Sequence, residues 1–338
     1  MGCVCQRADC GSTSRSTAEA ANLEIPAVVV SAAIAYPPHE VTPVSVQPGD
    51  ILRDTEPTAV DGVAGRFSAV IPEAWRIFYA FGGATMATAL RVAEAALERE
   101  DLHLVSSEAM FCQAIPVGPV AASAEIVRRG RSAAQVLVRL WALDPESPDP
   151  SGPERSDLMV MCVFGLSEKS PFEFVGAIAP EVPDPQDCPQ PAPRPADSPF
   201  NNIPYHEQTE FRFSNSTIKW NEEFPAAEPE SASWFRFKVP PLRSDGSWHP
   251  ATLALPGDIL GPAVHAGAGG SVPPFLVISL QLGLQIVAEV RGEWLLQHTR
   301  SQVAGSGYAS GTAEIYDQDR RLVAVATQCA KIQTVKLG

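Results

Sequence analysis

The segment His206-Glu207-Gln208-Thr209-Glu210 falls one residue short of a zinc-hydrolase helix. Such a helix needs a second His four residues after the first, on the same face, and Glu210 stands there instead. The chain has no Cys-x-x-Cys pair and no Gly-x-Ser-x-Gly turn that would raise a nucleophilic serine. Its cysteines, Cys3, Cys5, Cys10, Cys112, Cys162, Cys188 and Cys329, are odd in number and scattered, which argues against a disulfide framework and for a reducing, cytoplasmic setting. Cys3, Cys5 and Cys10 lack a suitably spaced fourth metal ligand. The opening Met1-Gly2-Cys3-Val4-Cys5 reads either as a lipidation signal, with Gln6 where Ser or Thr is usual, or as an unstructured tail. Neither a metal nor another cofactor is expected. Three other features bear on ligand chemistry. His265 opens the glycine-rich His265-Ala266-Gly267-Ala268-Gly269-Gly270, either an oxyanion-facing histidine or a mobile loop leaving a helix. Arg128, Arg129 and Arg131 are a basic cluster in an acidic chain, either a phosphate contact or a solvated hairpin tip. Gly82-Gly83 would allow a tight turn or close helix–sheet approach.

Composition narrows the class. With 25 Lys and Arg against 39 Asp and Glu, the net charge is −14, the wrong sign for nucleic acid or a polybasic membrane patch. Apolar residues at 45% of 338 supply one large core or two ordinary ones. No apolar run approaches the roughly 18–20 residues of a membrane span, Ile25 to Ala35 being short and interrupted, and the N-terminus lacks a signal-peptide layout. The 32 prolines gather in a few stretches, as in stiff linkers between ordered units.

Residues 1–64 show no periodic pattern beyond an Ala-rich patch and are expected to be poorly ordered. Order begins with a strand at Arg66–Ile71, followed by a helix from Gly83 to Glu98 whose inward positions are mostly small. Four β-like runs follow: 102–113, 119–128, 134–143 and 158–166. Residues 168–204 read as an extended, exposed linker, proline-rich from Ala179 to Pro199. The same order then recurs: strands at 210–213 and 233–239, a helix from about Pro250 to Val264, and four strands at 275–289, 293–303, 308–316 and 322–335. One helix followed by several antiparallel strands, occurring twice, defines an α+β chain with units at 65–167 and 205–338.

These segments resemble the acyl-CoA thioesterase II family over roughly residues 66–335. Phe81-Gly82-Gly83 is similar to its helix opening, and Arg128-Arg129-Gly130-Arg131-Ser132 to its Arg-x-Gly-x-Ser hairpin. Ser233-Trp234-Phe235-Arg236 and Gly311-Thr312-Ala313-Glu314-Ile315-Tyr316-Asp317-Gln318-Asp319 resemble two strands of its second half. The resemblance implies a double hotdog, two antiparallel sheets each wrapped around a central helix. It implies hydrolysis of acyl-CoA or a carrier-protein thioester. The positions matching the family's catalytic trio are Asp258, Ser279 and Gln328, on the second helix, the next strand and the last strand. A carboxylate would activate water, the hydroxyl and amide would orient it, and a backbone N–H at a helix start or strand end would take the oxyanion. Beside the trio, Gly82, Gly83, Arg131 and His265 are the candidates for contact with such a substrate. Ser279 alternates with Leu280 and Leu282 and so is expected to share a face with Gln281, Gly283 and Gln285; Gln328 shares one with Ala324 and Ala326.

Two alternatives stand beside hydrolysis. Gly257-Asp258-Ile259-Leu260-Gly261-Pro262-Ala263-Val264-His265 has the Gly-Asp…Pro…His order of hotdog hydratases, without their Asn and with a longer Asp-to-His spacing. A non-catalytic acyl-thioester-binding protein is the other. Antiparallel sheets leave edges that need covering, so a homo-oligomer is expected.

Overall fold

The computed structural model describes residues 48–191, 201–214 and 224–335. In chain order the elements are α1 (Ile51–Asp54), β1 (Thr58–Ala59), β2 (Arg66–Ile71), α2 (Gly82–Leu97), β3 (His103–Phe111), β4 (Gly118–Arg129), β5 (Ala133–Ala142) and β6 (Leu158–Gly165). Then come α3 (Pro204–Gln208), β7 (Thr209–Phe213), β8 (Glu230–Phe237), α4 (Ala254–Gly257), α5 (Leu260–Ala268), β9 (Phe275–Ile286), β10 (Leu295–Gly305), β11 (Tyr308–Asp317) and β12 (Leu322–Thr334). The expected strand-helix-strands order is present twice. The N-terminal lipidation and cysteine readings lie outside the described residues.

The expectation of two sheets is corrected. All twelve strands form one antiparallel sheet, in the order β1-β2-β4-β5-β6-β3-β9-β12-β11-β10-β8-β7. The halves join where β3 pairs with β9, from Ser106 opposite Gln285 to Met110 opposite Gln281. The join satisfies two strand edges from within the chain and leaves only β1 and β7, two and five residues long, at the rims. The edge-strand reason for a homo-oligomer is therefore met internally.

α2 is buried on nearly every side. It packs on β2 to β6 and, away from the sheet, on the 3-10 turn Pro250–Leu253 and α4. This explains its small residues. Gly83 is the contact point: a Cβ there would stand 2.6 Å from the Leu255 Cα and 2.7 Å from the Ala254 oxygen. The close approach that Gly83 permits is thus helix to helix rather than helix to sheet.

The second central helix is not continuous over 250–264. Pro262 would clash with the Asp258 carbonyl and could not donate to it inside a helix, so the helix must restart beyond Asp258. The chain runs as the 3-10 turn, α4, a break at Asp258 and Ile259, then α5 with Pro262 in its first turn. The Pro256 carbonyl at the break accepts from Gln297 Nε2 at 2.8 Å, and Gln297 Oε1 in turn accepts from Ser233 Oγ.

Two further expectations change. Residues 48–64 carry α1 and β1, and Ile51 is part of the core. The linker is extended, but only part of it is exposed. Phe172, Phe174 and Ile178 face solvent, whereas Ala179, Val182 and Cys188 pack on Trp234, Leu296 and Tyr316 of the outer sheet face. Trp234 Nε1 donates to the Pro183 oxygen at 2.8 Å and Arg320 Nη2 to the Val182 oxygen at 2.7 Å. This strap explains why β8 is buried on both faces despite its alternating sequence.

Candidate active site

Asp258 lies in the break between α4 and α5, Ser279 on β9 and Gln328 on β12, and their side chains meet. Ser279 Oγ donates to Asp258 Oδ1 at 2.6 Å, Gln328 Nε2 donates to the same oxygen at 2.6 Å, and also to Ser279 Oγ at 2.7 Å. The Leu260 N–H donates to Gln328 Oε1 at 3.0 Å. That bond fixes the amide the right way round, since only its NH₂ can donate to a carboxylate. The orphan N–H at the start of α5 thus orients the site.

Ser279 reaches the inner face through a β-bulge. In the β9–β12 ladder Ala330 faces Ser279 and Cys329 faces Gln281, so Leu280 is an extra residue. A regular strand would put Ser279 on the face opposite Leu282 and Leu284, which are fully buried inside. The bulge turns Ser279 inward while Gln281 points outward to Glu108. The expected shared face of Ser279 with Gln281, Gly283 and Gln285 is thereby corrected. Gln328 does share its buried face with Ala324 and Ala326.

The first half of the chain closes the site. Gly82 and Gly83 open α2, and the Gly83 N–H donates to the Asp258 carboxylate. A Cβ on Gly82 would stand 2.6 Å from Asp258 Oδ2 and 3.2 Å from Phe111 Cε1. Burial pushes the Asp258 carboxyl up to about 6, partly offset by donation from Ser279, Gly83 and Gln328. Tyr205 on α3 is buried nearby, its ring 4.5 Å from that of Phe81. Burial raises its hydroxyl above the usual range, and the Asp258 charge adds to this.

Arg131 and His265 are not brought to the trio. Arg131 sits at the β4–β5 turn, its carbonyl accepting from Arg99, while Arg129 caps the last turn of α2 at the Leu97 oxygen. That is the far end of a helix about 24 Å long. His265 lies within α5, its ring stacked 4.2 Å from that of Phe275, and burial pushes its imidazole down to about 4. The glycines after it are no mobile loop. Cβ atoms on Gly267, Gly269 and Gly270 would meet Pro229, Ala226 and Phe224 of the chain crossing them at 2.9, 2.7 and 2.8 Å. Sequence reasoning missed Phe111, Tyr205, Gln297 and the Leu260 N–H. Only Phe111, the apolar end of a long β-like run, left any trace.

Comparison with known proteins identifies the family of the chain. The family model for the acyl-CoA thioesterase N-terminal domain matches residues 71–161, and that for the C-terminal domain residues 185–332. The chain belongs to the acyl-CoA thioesterase family, enzymes that hydrolyse thioesters. Among solved structures it is similar to a presumed thioesterase from Novosphingobium aromaticivorans, at 26% identity over 80% of this chain and 97% of that one, with a TM-score of 0.63. It shares its fold with a hot dog protein of unknown function from Alicyclobacillus acidocaldarius, at 21% identity, 85% and 99% coverage and a TM-score of 0.66. It also shares it with the acyl-CoA thioesterase II TesB2 from Mycobacterium marinum, at 18% identity, 85% and 99% coverage and a TM-score of 0.61. No curated protein matches the chain. Among the described residues, no helix is long and apolar enough to cross a membrane.

Proposed function

We propose that Asp258, Ser279 and Gln328 hold and activate the water that hydrolyses an acyl-CoA thioester. The observation that carries this reading is the mutual hydrogen bonding of three polar side chains from three separate elements around one buried carboxylate. Asp258 Oδ1 is engaged by Ser279 and Gln328, so Oδ2, beside Gly82, acts as the base. It removes a proton from water as the water oxygen attacks the thioester carbonyl carbon. At the start of α2 the Gly83 N–H is held by the Asp258 carboxylate and those of Ala84 and Thr85 by the Phe81 carbonyl, which leaves the Gly82 N–H to stabilise the oxyanion. Collapse of the tetrahedral intermediate breaks the carbon–sulfur bond. The CoA thiolate takes up the proton, leaving free acid and thiol.

Thiol release from acyl-CoA substrates of graded chain length tests the reading. Release from at least one length is expected. No release from any length by the folded protein would favour binding without turnover. The hydratase reading needs His265 beside the carboxylate, whereas the partners of Asp258 are Ser279, Gln328 and Gly83.

The pH profile follows from the sign of the Asp258 shift. The base works ionised, so kcat/KM should fall as pH drops through about 6 and level off above it. Initial rates with a substrate that does not itself titrate between pH 5 and 8 measure this. A profile flat across that range would contradict the role of Asp258 as base.

A further inference from the structure

We infer that Phe111 makes this site selective for acyl chains unbranched at the carbon next to the carbonyl, an inference that rests on the hydrolytic reading above. Two independent observations place the ring there. The first is the space above the Gly82 Cα. The point where a Cβ would stand lies 2.6 Å from Asp258 Oδ2, 3.2 Å from Phe111 Cε1 and 3.4 Å from Phe111 Cζ. The base oxygen and the edge of the Phe111 ring therefore border one small volume.

The second is the strand register. Along the seam between the halves, Ala109 faces Leu282, and Leu282 faces Gln328 on its other side. These three residues are buried in one row of the inner face. Phe111 is two residues beyond Ala109 on the same strand and so points the same way. Met110 is opposite Gln281, which puts Phe111 level with the Leu280 bulge, next to Ser279. The ring thus comes from the first half of the chain and stands over a trio supplied by the second. Its backbone is held by pairing with Leu158, and its side chain packs on the main core.

The geometry of attack makes this position selective. Water bound to Oδ2 must meet the carbonyl carbon at about 3–3.5 Å, which brings the thioester into the volume above Gly82. The first carbon of the acyl chain then lies against the ring edge. A straight chain presents hydrogens to the ring, and a branched one presents a methyl group. A ring anchored in the core yields little to an added methyl. One methyl-sized group in an apolar pocket is worth about 10–200-fold in kcat/KM.

The test compares hexanoyl-CoA with 2-methylhexanoyl-CoA, which differ by that one methyl, on wild type, Phe111→Leu and Phe111→Ala. Wild type should prefer the straight chain by about 10-fold or more. Phe111→Ala should bring the ratio near one, chiefly by raising kcat/KM for the branched substrate, with Phe111→Leu between. Because each ratio is internal to one variant, a lower folded fraction cancels from it. A preference unchanged in Phe111→Ala, or equal losses on both substrates, would overturn the inference while leaving hydrolysis intact. The pair is lengthened or shortened together to a chain that wild type cleaves, and if it cleaves none the hydrolytic reading fails, and the inference with it.

Discussion

Asp258→Asn is expected to lower kcat by about 10²–10⁴-fold, the usual worth of a general base, with KM little changed. The carboxamide keeps the shape and one acceptor for Ser279 and Gln328 but cannot take a proton from water. Ser279→Ala and Gln328→Ala should each cost less, because they orient rather than deprotonate. Combining the three should cost far less than the product of the single losses, since all serve one water. The same residue leaves a signature in stability. Its carboxyl is raised from 3.8 to about 6 in the folded chain. The folded state therefore holds this proton more tightly than the unfolded one, and stability falls as pH rises from about 4 through about 6. Asp258→Asn should lack this decline, gaining melting temperature relative to wild type on going from pH 4 to pH 7. Parallel melting curves and steady-state rates measure both effects. Near-full turnover in a normally folded Asp258→Asn would show that another group is the base.

Gly82→Ala and Gly83→Ala should fail in opposite ways although the residues are adjacent. Helix propensity alone favours Ala over Gly by about 1 kcal/mol at each position. At Gly82 the new methyl would meet side chains, Asp258 Oδ2 at 2.6 Å and Phe111 Cε1 at 3.2 Å. The Asp258 carboxylate can turn aside, and the anchored Phe111 ring need give only a few tenths of an ångström, so the fold should survive, but the methyl occupies the approach to the base oxygen. A loss of about 10²-fold or more in kcat/KM is expected, with little change in melting temperature. At Gly83 the methyl would meet backbone, the Leu255 Cα at 2.6 Å and the Ala254 oxygen at 2.7 Å. Neither helix can retreat without disturbing the core, so a destabilisation of about 1–3 kcal/mol is expected. Activity should fall too, since α4 leads directly into Asp258. Equal thermal stability of the two variants would contradict the helix contact at Gly83.

Most of the elements are legible in the sequence because they obey simple periods. α2 shows its 3–4 spacing, and β2, β5 and β10 to β12 show runs of strand-forming residues broken by turns. The trio is legible through its resemblance to a family. What stayed hidden depends on contacts between distant segments. The Leu280 bulge shows only once β12 is paired, and without it alternation puts Ser279 on the wrong face. The pairing of β3 with β9, which fuses two sheets into one, leaves no mark in either strand alone. The glycines after His265 read as a flexible exit because nothing local shows that residues 224–229 cross them at backbone distance. The strap over Trp234 is a proline-rich segment whose composition signals extension and says nothing of what it lies against. Arg131 matches a family hairpin by sequence, yet its turn sits at the end of α2 away from Asp258.

A single turnover in ¹⁸O-labelled water, with protein in excess over an acyl-CoA it cleaves, tests the central claim most directly. If Asp258 activates water for direct attack, the first free acid formed carries one ¹⁸O atom, and the peptide containing Asp258 carries none. If the first acid formed is unlabelled and the label appears in the Asp258 carboxylate, the residue attacks the thioester itself and the account given for the trio is wrong.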